Sequence, residues 1–281
     1  CDEDESNEIN TFNISFKISY KNLQYFFQEN DIKYFSDFIK IEEQYLIDKI
    51  EPKKSICKNE ALKENLFLMF VSIITRIPLI IVGKPCSSKS LAFELIYNSM
   101  KNEFSKNDFF KEFPFIIKTN FKGNEYNSFY DIEKLFEIAE NKLNFYKNKE
   151  EYKNKLPISV ILFDKLNLAE KSENNPLKLL NYKIENSKAR ISFIGLSNSE
   201  LDMDNMNRAI NLSVPNLDFF LDELIETAKS IVENISEELK ENKIIEIISR
   251  AYYEYKRKLI LIKELMALKK YNEEIKEMNK N

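Results

Sequence analysis

Residues 76–95 read RIPLIIVGKPCSSKSLAFEL. The run Leu79–Val82 has the length and branching of a buried strand, Gly83 breaks it, and an apolar-periodic segment of helical length opens at Ser90. Between strand and helix, Gly83-Lys84-Pro85-Cys86-Ser87-Ser88-Lys89-Ser90 fits G-x-x-x-x-G-K-[ST] except that Ser88 stands at the second glycine. A loop of this kind wraps a phosphate in backbone N–H groups at the positive end of a helix. Lys89 is placed to reach the terminal phosphates and the Ser90 hydroxyl to hold Mg²⁺.

Glycine scarcity sharpens the reading. A chain of this length carries about 20 glycines at the usual frequency, whereas this one has 3. Two of them, Gly83 and Gly195, fall at the ends of expected core strands, where scarcity points to a steric requirement.

Outward from the loop, short apolar runs alternate with helical segments: LIIV (79–82), FPFIIKT (113–119), ISVILF (158–163), ISFIGL (191–196) and AINLSV (209–214). Such alternation predicts a largely parallel sheet covered by helices on both faces. Residues 1–18 are polar and expected to fray, and helical periodicity then runs through residues 20–50 and through NEALKENLFLMFVSIIT, which Ile77-Pro78 ends. NKLNFYKNKEEYKNKLP reads as a helix end and solvated loop, and the pattern after Pro215 is helical throughout. The expected division is an N-terminal helical segment (1–58), an α/β nucleotide-binding core (59–215) and a helical lid (216–281).

Composition removes several classes of chemistry. The 281 residues are 43% hydrophobic, enough for a substantial core, and the net charge of −4 does not favour broad nucleic-acid binding. The absence of histidine excludes imidazole bases, Ser-His and Cys-His pairs and most catalytic zinc ligation. Cys1, Cys57 and Cys86 are too few for a four-thiolate zinc cluster and too scattered for a disulfide framework, which suits a reducing, cytoplasmic setting. No apolar run reaches membrane-spanning length, because Arg76 and Pro78 interrupt the longest. The acidic start CDEDESNEIN lacks an initiator Met and an apolar signal core, and the chain reads as a piece of a longer intracellular protein.

NEALKENLFLMFVSIITRIPLIIVGKPCSSKSLA, VILFDKLNLAEKSENNPLKLL, ISFIGLSNSELDMDNMNRAINLS and DELIETAKSI together resemble one AAA+ unit of the mysterin-like family. These are giant ring-finger E3 ubiquitin ligases with a dynein-like row of AAA+ units, and the resemblance covers about residues 59–232. It implies a P-loop NTPase fold of AAA+ type: a parallel five-stranded sheet between helices, with a helical lid. It also implies ATP and Mg²⁺ as cofactors, adjacent AAA+ units of the same chain as ring partners, and ligase machinery elsewhere in the parent protein. The family's loop carries serine at the position of Ser88, so Cys86, in place of glycine, is this chain's departure. A β-carbon there in a left-handed conformation costs about 1–2 kcal/mol, enough to lower phosphate affinity by one or two decades.

In SVILFDKLNLAE, Asp164 resembles the Mg²⁺-associated aspartate of the Walker B strand, 75 residues after Lys89. Lys165 stands where the family carries the water-activating glutamate. An ammonium accepts no proton from water at neutral pH, and loss of a positioned base costs about 10²–10⁴ in rate. Glu170, Asp202 and Asp204 are the carboxylates near enough in sequence to substitute. Asn198 resembles the polar residue that orients the attacking water, and Arg208 the arginine that reaches a neighbouring unit's nucleotide. No glycine follows Gly195, so no G-x-R arginine is assigned, and Arg250 and Arg257 are not given that role. Three readings stand open: an ATP-binding module with weak or absent hydrolysis, an active ATPase using another carboxylate, and a nucleotide-free scaffold unit.

Overall fold

The computed structural model describes residues 35–53, 56–101, 104–147, 149, 157–186, 191–202, 208–214, 220–233 and 243–278. The polar stretch 1–18 and Asp204 lie outside these residues. The chain divides into two compact units, residues 1–45 and 46–281. Of the first, only 35–45 are described, as the start of helix α1 (Phe35–Ile50).

The second unit is built on five strands: β1 (Leu79–Val82), β2 (Ile116–Lys122), β3 (Ile158–Asp164), β4 (Ile191–Ser197) and β5 (Ile210–Ser213). Their order is β2-β3-β4-β1-β5 and every pairing is parallel. This is the α/β arrangement of an AAA+ P-loop NTPase, with β1 between β4 and β5.

Strand alternation builds two cores. Leu79, Ile81, Val160, Ile194 and Leu196 face one side with helices α2 (Glu60–Thr75) and α3 (Lys89–Ser99). Ile80, Val82, Ile161, Phe163 and Phe193 face the other, under α5 (Phe129–Lys147), α6 (Leu166–Glu170) and α7 (Pro176–Asn186). β1, β3 and β4 are therefore apolar at nearly every position because both faces are covered.

Local signals set the ends of α2. Asn59 caps it, its side chain accepting from Leu62 N at 3.0 Å. Arg76 ends it in the left-handed region at φ 59°, ahead of Pro78. The second strand starts three residues later than the run FPFIIKT predicts. Pro114 has no N–H to give a ladder, Phe113 N–H closes the short helix α4 (Asp108–Lys111) onto Phe110 O, and Ile116 N–H turns to Met100 O. Helices α8 (Leu221–Glu233) and α9 (Lys243–Met278) follow β5 and pack on each other. No described helix is long and apolar enough to cross a membrane.

Candidate functional site

The sheet order brings the C-terminal ends of β3, β4 and β1 side by side, the position at which open α/β sheets bind ligands. At the end of β1, Gly83 N–H donates to Ser197 O at 3.1 Å and Val214 N–H donates to Val82 O at 2.8 Å. The loop is thus pinned between β4 and the segment leaving β5. A β-carbon on Gly83 would lie 2.8 Å from Ser87 Oγ and 3.0 Å from Val214 Cβ, so a larger residue there displaces one or both side chains.

The loop turns through two left-handed residues, Cys86 at φ 68° and Ser88 at φ 60°. Serine at the second-glycine position therefore keeps the glycine-like backbone. Ser88 is also the N-cap of α3 and makes no side-chain cap bond, so its side chain does not occupy the N–H groups of the first turn. Lys84, Pro85, Cys86 and Ser90 are exposed, while Ser87 and Lys89 are buried.

Lys89 Nζ donates to Gly83 O, to Lys84 O at 2.8 Å and to Ser87 Oγ at 3.0 Å. Burial pushes its pKa below the ordinary 10.5, and attraction to Asp164 and Cys86 partly opposes that fall. An incompletely compensated buried cation is a fit for an anion.

Beneath the loop, Asn65 of α2 is fully buried, and its Nδ2 donates to Ser87 O at 2.9 Å. Its Oδ1 is buried with no partner among the described residues. Asn65 is a residue that sequence reasoning passes over, although a polar residue on the apolar face Leu62-Leu66-Met69 is a visible signal.

At the end of β3, Asp164 and Lys165 are half-buried. Lys165 adopts φ 57°, ψ 47° as the N-cap of α6, and its N–H donates to Asp164 Oδ1 at 2.9 Å. Gly123, just past β2, donates its N–H to Asp164 O at 2.7 Å, and a β-carbon on it would lie 2.4 Å from Lys165 O. The Asp164-Lys165 turn is thus clamped by the neighbouring strand's exit. Sequence reasoning gave Gly123 no role, because the contact joins residues far apart in the chain.

Asn198 sits exposed at the end of β4, between β3 and β1, and its N–H donates to Asn167 Oδ1 at 3.3 Å. Arg208 forms an ion pair with Glu185 of α7 in the same chain. Glu170 Oε1 accepts from Asp202 N–H at 2.7 Å, which holds one carboxylate against the loop carrying the other.

Residues 55–219 match the family model described as the RNF213 AAA domain. The chain belongs to that family. It is 38% identical over 200 residues to the E3 ubiquitin-protein ligase rnf213-beta of Danio rerio, covering 67% of this chain. It is 33% identical over 212 residues to the E3 ubiquitin-protein ligase RNF213 of Homo sapiens, covering 72% of this chain. The chain spans 4% of the length of each of these relatives. Among solved structures, one of Drosophila ORC bound to DNA aligns at a TM-score of 0.47 with 12% identity, covering 75% of this chain and 55% of that chain. The loop Gly83–Ser90 and the end of β3 at Asp164 both lie within the matched residues.

Proposed function

We propose that this AAA+ module binds ATP·Mg²⁺ at the P-loop and hydrolyses it weakly or not at all, as one unit in a ring of adjacent AAA+ units. The observation that carries the reading is the contrast at one end of the sheet: the loop keeps its lysine and its backbone turns, while Lys165 stands beside Asp164. The backbone N–H groups of Cys86, Ser88 and the first turn of α3 supply donors to the phosphates, and Lys89 exchanges its bonds to the loop carbonyls for phosphate oxygens. Ser90 and Asp164 hold Mg²⁺, which when bound supplies charge neutralisation of the phosphates.

Lys165 lacks the lone pair of a carboxylate and does not serve as the base for water. Its ammonium instead adds positive charge beside the phosphates. Asn198 orients solvent at the end of β4, and Arg208 reaches a neighbouring unit on leaving Glu185. Residues 59–215 form the nucleotide-binding core and 216–281 the lid, in a cytoplasmic parent protein whose ligase chemistry lies elsewhere. In this reading bound nucleotide acts as a clamp between units.

The test is equilibrium titration of the chain with a fluorescent ATP analogue and Mg²⁺, beside a phosphate-release assay. Saturable binding abolished by Lys89→Ala, with little release, is the expected result. Absence of Lys89-dependent binding at millimolar nucleotide refutes it in favour of a scaffold unit. Steady release lost in Lys89→Ala refutes the weak-hydrolysis half in favour of an ATPase using another carboxylate.

The scaffold reading has one specific observation in its favour. Lys89 already has three oxygen partners within the chain, which a phosphate must displace. Differential stability decides between the two: nucleotide at about 100 times its Kd stabilises the folded state by about 2.7 kcal/mol, and a scaffold shows no shift.

A further inference from the structure

The helix α9 carries an apolar seam that the fold leaves uncovered. Ile248, Tyr252, Tyr255, Leu259, Ile262 and Met266 follow one another at alternating spacings of four and three residues. That is the a/d pattern of a coiled-coil helix, with Tyr252, Leu259 and Met266 at a and Ile248, Tyr255 and Ile262 at d. Leu259 is half-buried, whereas Ile248, Tyr255, Ile262 and Met266 are 62%, 60%, 49% and 67% exposed. α9 packs on α8, and Ile245 and Ser249, at the a and e positions one heptad before Tyr252 and Lys256, are buried, so the line is covered at its start and open from Ile248 onward. Large side chains exposed in a continuous line mark an interaction surface.

Charge says what covers it. The residues flanking the seam at e and g include Lys256 and Lys263 at e and Lys258 at g, and no acidic residue occupies either position between Ile248 and Met266. A second copy of α9 is therefore opposed in both orientations: a parallel pair sets Lys258 against Lys263, and an antiparallel pair sets e lysines against e lysines. We propose that the seam from Ile248 to Met266 docks a partner helix with apolar a and d positions and Glu or Asp at e and g. Such a helix covers the apolar line and sets its acidic side chains against Lys258 and Lys263.

The test uses the full chain with two labelled synthetic helices of about three heptads. One carries Leu or Ile at a and d with Glu at e and g, and the other is identical but with Lys at e and g. By fluorescence anisotropy at low salt, the Glu helix is expected to bind about tenfold tighter or more, with the ratio shrinking in molar salt. Ile262→Asp, at an exposed position, is expected to abolish binding of the Glu helix while the melting temperature is retained. Lys258→Glu with Lys263→Glu is expected to reverse the preference between helices, which a folding defect does not do. Equal affinity for both helices, or no binding of the Glu helix, overturns the proposal. Concentration-dependent dimerisation of the chain that Ile262→Asp removes also overturns it, by assigning the seam to a second copy. None of these outcomes depends on nucleotide, so failure here is separable from failure at the P-loop.

Discussion

Replacing Cys86 with glycine tests whether the P-loop stores backbone strain. Cys86 holds φ 68°, in the region where a β-carbon meets its own carbonyl. Relief of that contact is worth about 1–2 kcal/mol. Against it, glycine loses more backbone freedom on folding, which costs about 0.5–1 kcal/mol. The thiol is exposed, so its removal forfeits no burial. The balance is a gain of about 0.7 kcal/mol, equivalent to a rise of about 1.5–3 °C in Tm for a domain of this size.

The measurement is thermal or urea unfolding in nucleotide-free buffer, so that ligand linkage does not enter. Cys86→Ala is the control that decides the mechanism, since it removes the sulfur but keeps the β-carbon. The expected order is Cys86→Gly more stable than the parent, with Cys86→Ala equal to it. If alanine matches the gain from glycine, the effect belongs to the thiol and the strain argument fails. A loss of stability in Cys86→Gly refutes it outright.

Three further perturbations address the site. Gly123→Ala sets a β-carbon against Lys165 O and is expected to destabilise by about 1–3 kcal/mol in urea unfolding, because the obstacle is backbone rather than a movable side chain. Lys165→Glu is expected to raise phosphate release by about 10²–10⁴-fold, and an unchanged rate means that the missing base is not what limits turnover. The third concerns pH. Since the folded-state pKa of Lys89 lies below 10.5, the unfolded chain binds more protons between the two values. Lys89 therefore opposes folding fully at pH below its lowered value, and that opposition fades as pH rises to 10.5. A bound phosphate favours the ammonium, so analogue affinity falls as pH rises through the lowered value, and Lys89→Met removes both dependences in unfolding and titration curves.

What the sequence makes legible here is local. Five apolar runs become five strands, three of them (β1, β3 and β4) buried on two faces, and the loop from Gly83 to Ser90 is read directly because its chemistry is contiguous. The displaced start of β2 is a failure of the same local kind, in which an apolar run containing Pro114 is extended past what its backbone donors permit. Contacts across the fold leave a fainter trace. Asn65 bonds to a carbonyl 22 residues away, Arg208 pairs with Glu185 on another element, and Gly123 closes on Asp164 from the next strand. Periodicity does not encode such partners, since it records which face a residue takes and not what it meets.

Glycine placement gives the loop's odd sequence a physical context. Among the described residues, six non-glycine positions have left-handed backbones: Glu51, Arg76, Cys86, Ser88, Lys165 and Asn175. None of the three glycines does. All three instead stand where a β-carbon would meet a neighbour within 3.1 Å: Ser87 Oγ at Gly83, Lys165 O at Gly123 and Leu166 Cδ2 at Gly195. The two demands differ in kind. A left-handed turn with a β-carbon is a bounded cost of about 1–2 kcal/mol that a well-packed domain absorbs, whereas a β-carbon 2.4 Å from a backbone oxygen forces the strand exits apart. Glycine stands where a β-carbon would crowd a neighbour, most severely at Gly123, and not where torsion alone favours it. Cys86 and Ser88 then follow a rule that operates across the chain, and their lack of glycine is not evidence that the phosphate loop has decayed. Lys165 is different: its left-handed backbone is accommodated in the same way, but its side chain carries the charge opposite to the carboxylate that the family resemblance leads one to expect there, and no backbone argument accounts for that.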